Sequence, residues 1–167
     1  MKLTFVGQTM LIVSVTARSE VHGPDREPAS DIKLRAEVPN DVLNIFDPAL
    51  KPALYWFDND RTDLVDKGKS HEPGFLPHIR FQQLGAMCWD DEVVNARVHI
   101  KRAGESKGVT LAPAKVNKFH FEPLDGGTVT LSMRVQYKPD EKQAGKLAML
   151  VQQEVEVTLE LVEEGHA

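Results

Sequence analysis

A single cysteine, Cys88, stands in a chain of 167 residues. One thiol cannot close an internal disulfide, which excludes the stapled frameworks of small secreted domains and points to a reducing compartment, the cytoplasm. Long apolar runs are missing too. The most hydrophobic N-terminal stretch, TMLIVSV, falls well short of the ~20 residues that cross a bilayer and leads into polar alternation rather than a small-residue cleavage site. Neither a signal peptide nor a membrane span is expected. Aromatic residues make up 7 % of the chain, leaving few rings on which bases could stack.

Signatures of chemistry are equally sparse. No G-x-S-x-G, phosphate loop or G-x-G-x-x-G occurs, so the usual hydrolase, nucleotide and dinucleotide readings lack a motif. His22, His71, His78, His99, His120 and His166 fall in six separate contexts, with no i, i+4 pair of the kind a zinc helix presents. Asp58, Asp60 and Asp63 mimic the start of a calcium loop, but the sixth-position glycine and twelfth-position glutamate are lacking. Asp90, Asp91 and Glu92 after Trp89 read as a charged turn, because successive side chains of an extended segment point to opposite faces. Cys88, without a nearby cation in sequence to lower its pKa, reads as a buried thiol beside Trp89. A non-enzymatic protein with no metal and no cofactor is expected.

What the chain does have is period-2 patterning on a soluble composition, 41 % hydrophobic and 27 % charged. Val129, Leu131, Met133, Val135 and Tyr137 alternate with polar residues, as do Val155, Val157, Leu159 and Leu161 near the C-terminus. These read as two half-wet strands forming an antiparallel pair, with a short helix in KPDEKQAGKLAML between them, where Asp140 and Glu141 follow Pro139. Leu11, Val13, Val15 and Ala17 give an earlier strand, and Ile32, Leu34, Ala36 and Val38 another, with EVHGPDREPAS as an exposed loop between them. Segments 79–84, 94–101 and 116–121 bring the total to about eight strands, with a turn at Asp125–Gly127. A helical segment at 41–56, broken by Pro52, with Asn40 as its first cap and Asp47-Pro48 as a second start, precedes a polar loop at 58–77. The expected architecture is one domain over 1–167, mainly β with α+β as the variant: an antiparallel β-sandwich carrying one or two short helices.

Charge is distributed unevenly. Residues 94–121 hold Arg97, Lys101, Arg102, Lys107, Lys115 and Lys118 against the single acid Glu105, or +5, while the rest of the chain sums 14 basic and 24 acidic residues to −10. Strand parity places Val94, Ala96, Val98 and Ile100 inward and Arg97, His99 and Lys101 outward; Phe119 and Phe121 inward leave Lys118 and His120 outward as well. A cationic face on an acidic body suits phosphate or an acidic partner. The competing arrangement is neutralisation by the acids Glu154, Glu156 and Glu160 of the last strand, which could alternatively pair with Arg134 and Lys138 or act as a DNA mimic.

The stretches DIKLRAEVPNDVLNIFDPALKPALY and MRVQYKPDEKQAGKLAMLVQQEVEVTLEL resemble small accessory proteins that tailed phages and prophages encode among replication and recombination genes. That resemblance implies a protein acting in the bacterial cytoplasm on nucleic acid or on a host protein. The residue pattern and this context together give the expected function: a nucleic-acid-binding protein, single-stranded DNA its expected ligand, with Arg97, His99, Lys101, Arg102, Lys118 and His120 as the contact face. The alternative is an anti-defence inhibitor of the anti-CRISPR or anti-restriction type, acting through protein contacts or DNA mimicry on a host or phage complex.

Overall fold

A computed structural model describes residues 1–57 and 74–162. The segment around Asp58, Asp60, Asp63 and His71, most of the expected polar loop, and His166 lie outside the described residues. Nine strands are described: β1 (Phe5–His22), β2 (Asp25–Pro39), β3 (Tyr55–Trp56), β4 (His78–Ile79), β5 (Met87–Trp89), β6 (Val93–Arg102), β7 (Val109–Leu124), β8 (Thr128–Tyr137) and β9 (Glu154–Leu161). Helices are short: α1 (Leu43–Phe46) and α2 (Leu50–Leu54) follow a 3-10 turn at Asn40–Val42, and α3 (Glu141–Met149) precedes β9.

The mainly-β expectation holds, but the sandwich does not. Strands run in the order β7-β6-β9-β1-β2-β8, every pair antiparallel, and β8 pairs back onto β7, so six strands close into a barrel. Closure removes the edges that two facing sheets would leave open. β5 continues β6 along the same side of β7, after the turn at Asp90–Glu92. The pairing expected between β8 and β9 is corrected as well: β8 lies between β2 and β7, and β9 between β1 and β6. Alternation alone cannot choose neighbours, since every strand here offers the same apolar face.

Bulges supply the curvature that closure requires. In β1 the register slips between Phe5 and Gln8, where Gly7 has φ 58°, and again between Ile12 and Ser14. The second slip changes parity: Met10 and Ile12 point into the barrel, not Leu11 and Val13, whereas Val15 packs against the core. In β6 the slip at Asn95, φ 54°, turns Val94 out to 55 % exposure while Ala96, Val98 and Ile100 stay buried. In β7 the slip between Asn117 and His120 coincides with Lys118 at φ 54°. The segment expected as a loop after Glu20 is instead ladder, β1 running to His22 and β2 starting at Asp25, with only Gly23 and Pro24 between.

The barrel interior is filled from every wall: Ile12, Ile32, Leu34, Val98, Ile100, Leu111, Val116, Leu131, Val135, Val157 and Leu159 are fully buried. Burying one such side chain contributes roughly 1.5–3 kcal/mol. At one end Leu147 of α3 and Leu150 plug the interior; at the other Leu43, Leu54 and Tyr55 do so, with Phe46 packed edge-on against Phe119 and Phe121 at 5.2 and 4.6 Å. The buried Tyr55 hydroxyl donates to Thr128 O and accepts from Leu124 N at 3.3 Å, tying the helical end to the β7–β8 hairpin at Asp125–Gly127. Burial first pushes its pKa up, to about 12.

Local signals at helix ends fare unevenly. Asp140 and Gln143 form a reciprocal capping box on α3, as its acidic start suggests, and Asp47 accepts from Ala49 N at 2.7 Å ahead of α2. Asn40 is not a cap: it is buried and spends its amide on Leu76 O, 2.9 Å away. The strand expected at 79–84 shrinks to β4. Cys88 is exposed, a correction to the buried thiol, because strand parity turns Met87 and Trp89 to the core and the residue between them outward.

Candidate nucleic-acid interface

β6 and β7 are direct neighbours and form a hairpin whose loop spans residues 103–108. Gly108 is fixed at the base of this loop by close approach: a Cβ there would lie 2.3 Å from Ile100 O. On the outer face of β6, Arg97, His99 and Lys101 form one column, rising about 7 Å per two residues. Arg102 is not in that column: it has the inward parity of Ile100, sits across from buried Val155, and at the hairpin end turns over the mouth of the barrel, exposed, with its guanidinium 3.8 Å from Glu105 and 3.5 Å from Met149 O at the end of α3. α3 is held against the hairpin by Gln143, whose amide donates to Thr110 O at 3.1 Å.

Between the hairpin loop and α3 lies a cleft of about 400 Å3. Its rim carries Lys101, Arg102, Lys107 and Lys146, with Glu105 as the one acid; its floor is Ile100, Val109, Leu150 and Met149, the last 72 % exposed. Four cations and one carboxylate around one depression stand out on a chain of net charge −5. Lys107 and Lys146 have no ion-pair partner among the described residues, and neither has Arg97, although Glu160 of β9 sits directly across the ladder from it. Lys101 is different: its ammonium reaches Glu156 at 3.2 Å, both groups a third exposed. Such a pair is weak and screened by salt, so Lys101 remains available to a stronger anion. His99 Nδ1 is 2.8 Å from Thr110 Oγ1, orienting its ring along the same face.

The six residues expected to form one face divide into two groups. Arg97, His99 and Lys101 share the outer face of β6, and Arg102, of the opposite parity, meets Lys101 only at the cleft by the hairpin end, a correction to the single face. Lys118 and His120 lie on the far half of β7, beyond the bulge, where β5 and β8 are the neighbours: His120 faces Cys88 on one side and Ser132 on the other, and its Nδ1 is 2.9 Å from Lys118 O. There they line a separate depression shared with the acids Asp90, Asp91 and Glu92. The separation arises because β7 changes partners halfway along its length, a fact of barrel closure that parity within a strand does not encode. Conversely, Lys146 was not picked out in sequence. It lies far from the hairpin along the chain and is delivered by α3; a lysine in the last turn of a capped helix was the only local signal.

The acidic strand does not form an uninterrupted anionic row, since Glu156 in its middle is engaged by Lys101. Arg134 and Lys138, the alternative partners for the acids of β9, turn elsewhere: Arg134 to Asp31 at 3.7 Å and to Asn117 Oδ1 at 3.0 Å, Lys138 to Glu27 and Glu20. No aromatic ring joins the cationic column. Trp89 packs on Phe46 and Phe121, and Trp56 on His78, so neither indole is placed on this surface. Among the described residues no group of three His, Cys, Asp or Glu side chains is placed to hold a metal, and no helix is long and apolar enough to cross a membrane.

Comparison with known proteins finds no matching family model, no matching curated protein and no matching solved structure.

Proposed function

We propose that this chain binds the phosphate backbone of nucleic acid, single strands in particular, without reading sequence, through the end of the β6–β7 hairpin and the neighbouring flank of α3. The observation that carries the reading is the convergence of Lys101, Arg102, Lys107 and Lys146 on one cleft, continued along β6 by His99 and Arg97, on an otherwise acidic molecule. Long cationic side chains at phosphate-like spacing neutralise charge and release counterions, which gives affinity without base readout. Lys118 and His120 form a second, weaker contact, since acids share their depression. Single strands are favoured over duplex because the outer column of β6 is only Arg97, His99 and Lys101, a short run that follows one flexible backbone more readily than two fixed ones.

Fluorescence anisotropy with a labelled oligo-dT of about 16 nucleotides tests this. Four neutralised phosphates on a single strand give an expected slope of about −3 in log affinity against log salt. Affinity that is flat with salt, or undiminished after reversal of the cleft charges, overturns the reading. The anti-defence alternative, inhibition of a host complex by protein contacts, is then the one to pursue: capture of a host protein should persist after nuclease treatment.

A further inference from the structure

The first hairpin leaves the barrel as an arm. β1 pairs with β9 only as far as Leu11, and the backbone of Gln152 and Gln153 completes that edge at Ile12. From Ser14 to His22, β1 is paired on one side by β2, and on the other side it has no strand among the described residues. An unpaired edge of this length is a template for another strand, and proteins usually block such edges with proline, lysine or a bulge. The arm's opposite edge is blocked: Pro28 of β2 has no N–H to offer, and Lys138 reaches across to Glu27. The β1 edge, SVTARSEVH, contains no proline or lysine, and its register with β2 runs unbroken from Ser14 to His22. It also carries Val21, 66 % exposed.

We propose that the protein forms a two-fold dimer through this edge, β1 pairing antiparallel with β1 of a second copy about Ser19. That register sets Arg18 opposite Glu20 of the second copy, twice by symmetry, and Ala17 opposite Val21, covering the exposed valine. Sliding the axis by one residue sets Arg18 against Arg18, or Glu20 against Glu20. Charge therefore selects the Ser19 axis over its neighbours. Arg18 is equipped for the contact: Nε donates to Asp31 at 2.8 Å and Nη1 to Glu20 of its own chain, while Nη2 has no partner among the described residues. Two cationic clefts on one particle would follow, but the dimer stands independently of nucleic-acid binding.

Sedimentation velocity over a concentration series tests the dimer without any ligand. Arg18→Glu and Glu20→Arg should each weaken association about tenfold by placing like charges opposite one another, and the double swap should restore it to within about threefold. Ser19→Cys in a Cys88→Ser background should crosslink two chains on mild oxidation, whereas Thr16→Cys should not, because only the axial residue meets its own copy. A wild-type chain that stays monomeric, a double swap that fails to recover, or crosslinking equal at positions 16 and 19 overturns the proposal. So does a monomer that takes up an added extended peptide along this edge.

Discussion

Two hairpins of similar build, β1–β2 and β6–β7, treat their charges in opposite ways. Beside the β1–β2 arm charges form a linked set: Arg18 binds Asp31 and Glu20, Lys138 just after β8 binds Glu27 and faces Glu20 at 3.6 Å, and Arg134 of β8 closes the chain of contacts at Asp31. Around the end of β6–β7, Lys107 and Lys146 of α3 have no ionic partner among the described residues, nor has Arg97 midway along β6, while Lys101, Arg102 and Lys115 each have a single one, at 3.2, 3.8 and 3.4 Å. Compensated charge stiffens an element and hides it from polyanions; uncompensated charge does neither and raises the local potential instead.

The sharpest way to break this contrast is to reverse charge in each hairpin in turn. Arg102→Glu, Lys107→Glu and Lys146→Glu together should reduce oligonucleotide affinity at least about 100-fold, whereas Lys138→Glu, which breaks the contact of that residue with Glu27 of the arm, should leave it unchanged and lower the melting temperature instead. Equal losses in anisotropy for both variants would erase the distinction between the two regions. Gly108→Ala comes next. Its Cβ meets backbone rather than a pliable side chain, so chemical denaturation should show a loss of about 2 kcal/mol, with weaker binding as the hairpin end is displaced. Tyr55→Phe is the control that touches neither region. Losing the Thr128 and Leu124 contacts should cost about 1 kcal/mol in denaturation and leave affinity intact in the folded protein.

Two pH limits refine the comparison at smaller scale. Glu20 and Glu27 titrate below their ordinary value of 4.5, Glu20 because Arg18 hydrogen-bonds it and Glu27 because Lys138 does. Carboxyls with a depressed pKa contribute stability that is present above the ordinary value and lost as pH falls through the folded one. Acid should therefore loosen the β1–β2 arm, seen as earlier hydrogen exchange at residues 16–29, before it affects the barrel. Tyr55 has the opposite sign. Its hydroxyl stays protonated in the fold up to about 12, so stability is complete below its ordinary value of 10 and falls as pH rises toward 12.

Much of this molecule was legible as local pattern. The strands from Ile32 to Val38 and from Val129 to Tyr137, the short helix that starts after Pro139 with Asp140 and Glu141, and the Asp125–Gly127 turn all follow from period, helix-start and turn chemistry, which act within a few residues. The inward set Ala96, Val98 and Ile100 was equally plain, and with it the cationic column on the other face of β6. The misreadings share a cause. Leu11 and Val94 were assigned inward because strict alternation was carried across bulges, and a bulge leaves no trace in a hydrophobic pattern beyond a broken period. EVHGPDREPAS was read as a loop because its polarity resembles one, yet an arm that leaves the barrel has no core to bury and needs no apolar face.

By itself the sequence determined that this chain would be built from amphipathic antiparallel strands and that its positive charge would concentrate between Val94 and Phe121, since side-chain period and residue order are properties of the chain alone. Tertiary structure decided the rest: closure through β7 and β8 in place of two facing sheets, the removal of Lys118 and His120 from the column on β6, and the arrival of Lys146 beside Arg102 from α3. Those outcomes depend on which strand edges meet, and an edge is backbone, the same N–H and C=O for almost every residue. Only the barrel as a whole, with its bulges and the volume of its filled interior, chooses among such equivalent partners.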